Sequence, residues 1–234
     1  MELIQKDDEK LTFVMPMTTT LANAIRRSVI EIPVLAIDEC DVFKNDSALY
    51  DEVIAHRLGL IPLKNQKIKK DEVVELKLKA KGKEGGVFVT SKELGELSVY
   101  PDIPIVFLDE GQTIEILSRA TVGTGLDHAK FVPGLFYYKK LAKIKIGKEA
   151  EANIELSKKY PEIFEFKDKL KVKDATKCEL DEEDFKEYPG IEVKYDNDIV
   201  FNIETWGQMK TTDIFVESCN ILKSNLSEIL KKIK

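Results

Sequence analysis

Four side chains in the last third of the chain follow the spacing of an iron–sulfur ligand run, but only one of them is a thiol. Residues 177–189, KCELDEEDFKEYP, fit the frame C-x2-C-x2-C-x3-C-P, in which cysteine thiolates hold the iron. The four ligand positions carry Cys178, Asp181, Asp184 and Tyr188. Because a lone thiol with two carboxylates matches no standard ligand set, the segment predicts an acidic surface helix without a cluster or metal.

The other residues that could do acid–base or nucleotide chemistry lack the context that such chemistry needs. His56 and His128 are far apart, have no metal-ligand spacing and stand beside no nucleophile motif. The GTG stretch, residues 123–125, lacks the third glycine that opens a helix in phosphate-binding loops. The sequence therefore predicts no catalytic residues of its own.

Two adjacent arginines occupy a predicted amphipathic helix, residues 18–33, TTTLANAIRRSVIEIP. At about 100° per residue, one face of this helix is apolar. That face carries Leu21, Ile25 and Val29. Arg26 and Arg27 lie on the opposite side with Ile30 between them. Arginines that flank an apolar residue are typical of protein interfaces, so this face predicts protein docking rather than phosphate binding.

Composition and charge favour the same conclusion. The chain has 234 residues, 43% of them hydrophobic, which is enough for one large domain or two modest ones. Its 36 basic residues against 42 acidic ones give a net charge of -6, which disfavours nucleic acid as a direct partner. Three distant cysteines, no signal-peptide pattern and no bilayer-length apolar run predict a reduced, cytoplasmic protein that does not contact membranes.

The remaining elements are mostly strands, which predicts an α+β fold. Alternating apolar residues predict two strands around the turn at residues 7–9 and a strand-rich middle from about 70 to 150. Residues 48–63 predict a second helix, with Gly59 in the left-handed exit position. Residues 190–205, GIEVKYDNDIVFNIET, predict a strand pair that turns at Asp196–Asn197–Asp198.

The last 24 residues, 211–234, carry the most regular apolar pattern in the chain. Apolar side chains recur at spacings of 4, 3, 4, 3 and 4, which is a heptad seam. The seam consists of Phe215, Cys219, Leu222, Leu226, Ile229 and Ile233. Such a seam predicts a helix that packs against a partner helix, and Ile214, Ile221 and Leu230 widen the stripe enough to serve two surfaces.

Four segments, taken in order, resemble one known family. They are residues 20–38, TLANAIRRSVIEIPVLAID; 49–63, LYDEVIAHRLGLIPL; 125–133, GLDHAKFVP; and 196–208, DNDIVFNIETWGQ. Together they are similar to the D subunits of archaeal RNA polymerases, which correspond to the amino-terminal region of bacterial alpha and to the third-largest subunit of eukaryotic polymerase II. The resemblance spans nearly the whole chain and implies a non-catalytic platform subunit that nucleates polymerase assembly.

The resemblance also implies a domain arrangement. Residues 1–43 and 191–234 would form a dimerisation domain from both chain ends, and residues 44–153 an inserted β-rich domain. Residues 154–190 would be a ferredoxin-like remnant that has lost its cluster ligands, because some family members carry such an insert with iron–sulfur clusters. We therefore expect no cofactor.

Partners follow from the same resemblance. Leu21, Ile25, Val29 and the heptad seam would pair with the smaller subunit L. Arg26, Arg27 and Ile30, together with His128 and Lys130, would face the second-largest catalytic subunit, with subunits N and P nearby. Two alternatives stay open from the residues alone: a ferredoxin-like electron carrier, and a stand-alone homodimeric binding protein that uses the terminal seam symmetrically.

Overall fold

The computed structural model describes residues 1–65, 72–180 and 183–233, and it confirms a mixed α+β fold. The strands are β1 Glu2–Lys6, β2 Lys10–Pro16, β3 Val34–Asn45, β4 Val74–Lys81, β5 Val87–Thr90, β6 Pro104–Leu108, β7 Thr113–Gly123, β8 Gly134–Ile146, β9 Phe164–Phe166, β10 Leu170–Val172 and β11 Ile191–Thr205. The α-helices are α1 Thr19–Ser28, α2 Asp51–Gly59, α3 Ile154–Lys159 and α4 Thr211–Ile233. Among the described residues, no helix is both long and apolar enough to cross a bilayer.

The chain divides into two compact units. The first contains residues 1–6, 11–24 and 137–202, and the second contains residues 7–10, 25–136 and 203–234. These limits differ from the predicted domain boundaries at residues 43, 153 and 190. The division into a dimerisation domain, an insert and a remnant therefore stays a prediction.

A four-stranded sheet in the order β1-β2-β11-β8 provides the framework of the first unit. The predicted amino-terminal strand pair is confirmed, since β1 and β2 pair antiparallel. The Phe13 and Phe201 rings are buried and stacked with centroids 5.1 Å apart. Stacked and tilted aromatic rings contribute large buried areas, so this pair anchors the sheet's apolar face.

The predicted turn at residues 196–198 is wrong, because β11 is one continuous strand through this point. Successive side chains of a strand alternate between faces, which places Asp196 and Asp198 on the same face. Nζ of Lys143, on the neighbouring strand β8, lies 2.8 Å from Asp196 and 3.5 Å from Asp198. A hydrogen bond and the positive charge of Lys143 lower the pKa of Asp196. The polar triplet thus lies within a strand that pairs with β2 and β8, with the Lys143 ammonium beside its two carboxylates.

The second unit is built on a three-stranded antiparallel sheet in the order β3-β7-β4. Strands β5 and β6, which lie between β4 and β7 in the sequence, form a separate two-stranded sheet. The core of this unit is aliphatic, with Leu35, Ile54 and Leu58 fully buried. Helix α2 provides the last two of these. Gly59 does not have the predicted left-handed conformation, because the helix ends at Leu60 in right-handed geometry with its N–H bonded to the carbonyls of the last turn.

A capping hydroxyl marks the start of helix α1, and a nearby proline marks its end. The Thr18 hydroxyl accepts the Leu21 N–H at 3.4 Å, which satisfies one of the free donors of the first turn. After Ser28 the chain tightens into a 3-10 turn over Val29–Glu31, and Ile32 is extended. The residue before a proline is disfavoured in helical geometry, so Pro33 explains this end.

Candidate subunit interfaces

One face of the first half of α4 is buried by its own chain. Ile214 and Ser218 are fully buried, and Phe215 packs on Phe136 with ring centroids 6.2 Å apart. The 3-10 turn after α1 also packs on α4, and the Asn225 side-chain amide donates to the Glu31 carboxylate at 3.0 Å. Of the predicted seam, Phe215, Cys219 and Leu222 are partly buried. Burial raises the pKa of the Cys219 thiol, which keeps it neutral and apolar in character.

The second half of α4 exposes its apolar side chains. Leu226 and Ile229 are each 53% exposed, Leu230 is 61% exposed and Ile233 is 77% exposed. These four residues fall within an arc of roughly 100° on the helix surface. Contiguous exposed aliphatic side chains on a regular helix are typical of protein–protein contact sites. The structure thus leaves the carboxyl-terminal part of the predicted seam available to another chain.

The predicted pairing residues of the opening helix differ in exposure. Leu21 is 45% exposed, whereas Ile25 and Val29 are 4% and 2% exposed within this chain. Ile25 and Val29 therefore belong to the chain's own core, and almost none of their area is available to a partner. Leu21 alone of the three offers substantial apolar area to a partner.

Of the predicted docking residues, Ile30 in the 3-10 turn after α1 meets the loop at residues 124–128. A Cβ added to Gly125 would lie 3.0 Å from the Ile30 carbonyl oxygen and 2.6 Å from the Val132 side chain, so this approach needs glycine. The loop is closed by Asp127, whose carboxylate accepts both the N–H and the hydroxyl of Thr124 at 2.9 Å. The structure thus brings Ile30 and this loop together, and their role in docking stays a prediction.

Arg27 is exposed and Arg26 is half-buried in α1, three and four residues before Ile30. His128 is exposed, and its Nδ1 accepts the Lys130 N–H at 3.1 Å, which caps the short 3-10 turn Ala129–Phe131. Lys130 is different, because its Nζ lies 2.6 Å from Asp38 and its side chain is only 12% exposed. Lys130 therefore fixes the loop to β3, while His128 remains a surface group.

The four positions that match the iron–sulfur spacing do not form a thiolate site. Cys178 is buried in an apolar cluster with Phe164, Phe185 and Tyr188, and Asp184 is exposed. Asp181 lies outside the described residues. The Tyr188 hydroxyl accepts the Lys159 ammonium at 3.1 Å, and within the described ranges no three His, Cys, Asp or Glu side chains converge as metal ligands. This donor set does not fit an iron–sulfur cluster.

Sequence reasoning missed two surface features. Leu126 is 67% exposed at the tip of the loop at residues 124–128, where an isolated apolar residue gives no periodic signal. The second is an open cleft of about 390 Å³ in the second unit, whose lining includes Leu60, Tyr100 and Trp206. Its residues come from distant parts of the chain, so only the single tryptophan of the sequence could have drawn attention to it.

Comparison with known proteins identifies the family. Residues 13–226 match the family model described as the RNA polymerase Rpb3/Rpb11 dimerisation domain. The matched region includes the opening helix, the loop at residues 124–128 and most of α4. All the candidate interfaces described above except the last turns of α4 thus lie within it.

Individual relatives agree. DNA-directed RNA polymerase subunit Rpo3 of Methanosphaera stadtmanae is 32% identical, with 98% of this chain and 96% of that protein covered. The Rpo3 subunit of Methanocaldococcus jannaschii is 29% identical over 97% of this chain and 91% of its own length. The Rpo3 subunit of Pyrococcus horikoshii is 38% identical over 67% of this chain. This match covers 65% of that relative's length. The chain belongs to the RNA polymerase Rpb3/Rpb11 dimerisation domain family.

Proposed function

We propose that this chain is a non-catalytic assembly platform subunit, of the Rpo3 or D type, in an archaeal DNA-directed RNA polymerase of the cytoplasm. It pairs with the smaller subunit L and presents a composite surface on which the second-largest catalytic subunit docks, with subunits N and P nearby. The family match and the archaeal Rpo3 relatives support this role. The net charge of -6 also fits a subunit that contacts proteins rather than nucleic acid.

The exposed apolar half of α4 is the observation that carries this proposal. Burial of aliphatic side chains at an interface contributes about 25 cal/mol per Å² of apolar area removed from water. Leu226, Ile229 and Leu230 are each more than half exposed in this chain. A second helix laid against them would complete the heptad packing that the spacing of the seam favours.

Co-expression with a candidate subunit L tests this proposal directly. We expect a stable one-to-one complex by light scattering, with the chain alone folded but prone to aggregate through the exposed end of α4 as its concentration rises. A well-behaved homodimer that ignores subunit L would contradict the proposal and favour the stand-alone binding protein. A purified chain with stoichiometric iron would favour the electron carrier instead.

The arginines of α1 provide the second test. Replacing Arg26 and Arg27 by alanine is expected to weaken recruitment of the second-largest subunit by ~10-fold to ~100-fold, because arginine is enriched among the residues that dominate interface energies. The complex with subunit L should be unchanged. Affinity is measured by titrating the purified second-largest subunit onto the preformed heterodimer.

The matched control for this variant replaces two exposed lysines of the second unit, Lys77 and Lys83, by alanine. It removes the same charge without altering the docking face. Equal weakening by both double variants would show a general charge effect. Loss of the heterodimer itself in the arginine variant would show that this face is wrongly assigned.

The absence of a cofactor is also part of the proposal. Buried Cys178 and the hydrogen-bonded Tyr188 support it, since cluster iron needs several thiolates. The chain is purified without oxygen from iron-supplemented cells. We expect it to lack visible charge-transfer absorption. We also expect its iron content to lie far below the roughly four atoms per chain of one [4Fe–4S] cluster. Iron analysis checks this, with a four-cysteine ferredoxin purified in parallel as the positive control.

A further inference from the structure

The cleft of about 390 Å³ in the second unit has walls from four separate segments. Leu60 and Pro62 follow α2, Tyr100 precedes β6, Val132 follows the loop at residues 124–128, and Trp206 and Gln208 lie between β11 and α4. Three of its large side chains remain open to solvent, since Leu60 is 56% exposed, Trp206 is 47% exposed and Tyr100 is 38% exposed. Aromatic residues that stay exposed around a concave site are typical anchors of protein interfaces.

The turn that carries Trp206 and Gln208 is firmly held. The Thr205 hydroxyl donates to the Met209 carbonyl at 2.6 Å and accepts the Gly207 N–H at 3.0 Å. Gly207 has φ +86°, and a Cβ there would lie 2.5 Å from the Val99 side chain, so only glycine allows this close approach. The cleft is therefore preformed on this side.

Gln208 supplies an unused acceptor. Its side chain is buried, with 7% exposure, and its Oε1 has no hydrogen-bond donor among the described residues. A buried acceptor without a donor destabilises the folded chain relative to one that is paired. Because Gln208 lines the cleft, this acceptor lies next to the space that a donor from another molecule would enter.

We propose that this cleft receives a polypeptide segment of another polymerase subunit, which inserts one apolar side chain with an N–H or O–H donor, such as an indole or a phenol. The donor satisfies Oε1 of Gln208, and the ring packs on Trp206 and Leu60. The inference rests on the proposed function, because it takes the occupant from the same assembly.

Two features favour a polypeptide over a small molecule. The cleft is bordered by exposed apolar side chains, which a chain running across the surface would cover and a small ligand inside would leave in water. It is also continuous with the predicted docking loop, because Ala129, Lys130 and Val132 contribute to its lining. The Lys130 ammonium already pairs with Asp38 at 2.6 Å, so the site offers no strong charge to attract an ionic metabolite.

The single tryptophan of the chain makes a direct test possible. The full chain, labelled with 5-fluorotryptophan and studied alone and paired with subunit L, gives one fluorine resonance from Trp206. The other purified polymerase subunits are added one at a time. We expect one of them to shift this resonance, and Gln208→Met to weaken that subunit's binding ~10-fold or more.

Gln112→Met is the matched control. Oε1 of Gln112 accepts the Asp109 N–H at 2.8 Å and therefore has its donor already. We expect this control to lower the thermal midpoint of the free chain and to leave binding unchanged. Gln208→Met should do the reverse, because it removes an unpaired acceptor: the midpoint stays the same or rises, and binding weakens.

The outcomes separate the two proposals. If the subunits assemble by native mass spectrometry but the Trp206 resonance does not move, the cleft inference is overturned and the platform function stands. Wild-type affinity of the Gln208→Met chain, or an equal resonance shift with N-acetyltryptophanamide alone, also overturns the inference, the latter in favour of a small-molecule site. If no polymerase subunit joins the chain, both proposals fail.

Discussion

Replacing Leu226 and Ile229 together by aspartate is expected to weaken pairing with subunit L by ~10³-fold or more. Each side chain is 53% exposed in the single chain, so about half of its area is still available for burial by a partner. Full burial of such a side chain is worth about 1.5–3 kcal/mol, and placing an unpaired carboxylate in the interface adds several more. Isothermal titration or light scattering at micromolar concentration measures the loss.

The folding of the single chain provides the internal check on this variant. Because both positions are exposed, the free energy of unfolding should change by less than about 1 kcal/mol. The control variant replaces Ser224 and Ser227 by aspartate, which adds the same charge to exposed polar positions of the same helix. If the control abolished pairing as strongly as the apolar variant, charge alone would explain the effect and the proposed interface would be wrong.

The second large effect concerns the sheet of the first unit. Phe201→Ala should lower the free energy of unfolding by about 3–5 kcal/mol, because removal of a large buried ring leaves a cavity. The Phe201 ring is fully buried, stacks on Phe13 and lies 6.2 Å from the Tyr138 ring. Urea unfolding followed by circular dichroism measures the change, which is a large share of a typical domain's stability.

Phe88→Ala is the matched control for this loss. Phe88 is 64% exposed and makes one edge contact with Phe107, with ring centroids 4.9 Å apart. Its removal should cost about 1 kcal/mol, since an aromatic pair at the surface contributes about that much. Equal losses for the two variants would contradict the placement of Phe201 in the core.

The helices were largely predictable, but not what their apolar faces contact. The heptad spacing predicted α4, and the structure confirms a helix over Thr211–Ile233. The apolar face of α1 was also correct, yet Ile25 and Val29 are buried within this chain. Apolar residues at helical spacing show only that one face of the helix is buried. The same spacing occurs whether that face packs on the chain's own core or on another protein.

The strand through residues 196–198 shows a different limit. An Asp-Asn-Asp triplet is typical of turns, because these side chains bond readily to nearby backbone. Here β11 pairs with β2 on one side and β8 on the other, and Lys143 of β8 lies beside both aspartates. Local propensity was overridden by pairing with strands that are distant in sequence, which a pattern within a short window does not contain.

The cleft was beyond sequence reasoning for the same reason. Leu60, Tyr100, Val132 and Gln208 come from separate segments and meet only in the folded second unit. The exposure of His128 agrees with its predicted place on an outer surface, while its role in docking stays a prediction. Lys130 was assigned to the same surface, but its ion pair with Asp38 makes it a support of the loop.

The exposed end of α4 has a consequence for the life of the protein in the cell. Under the proposed function, a newly made chain exposes Leu226, Ile229, Leu230 and Ile233 to water until it pairs with subunit L. Exposed apolar surface of this kind promotes aggregation and recognition by chaperones and proteases. Under the proposed function, the supply of the partner subunit therefore limits how long an unpaired copy survives, and the helix that joins the two subunits also keeps their amounts equal.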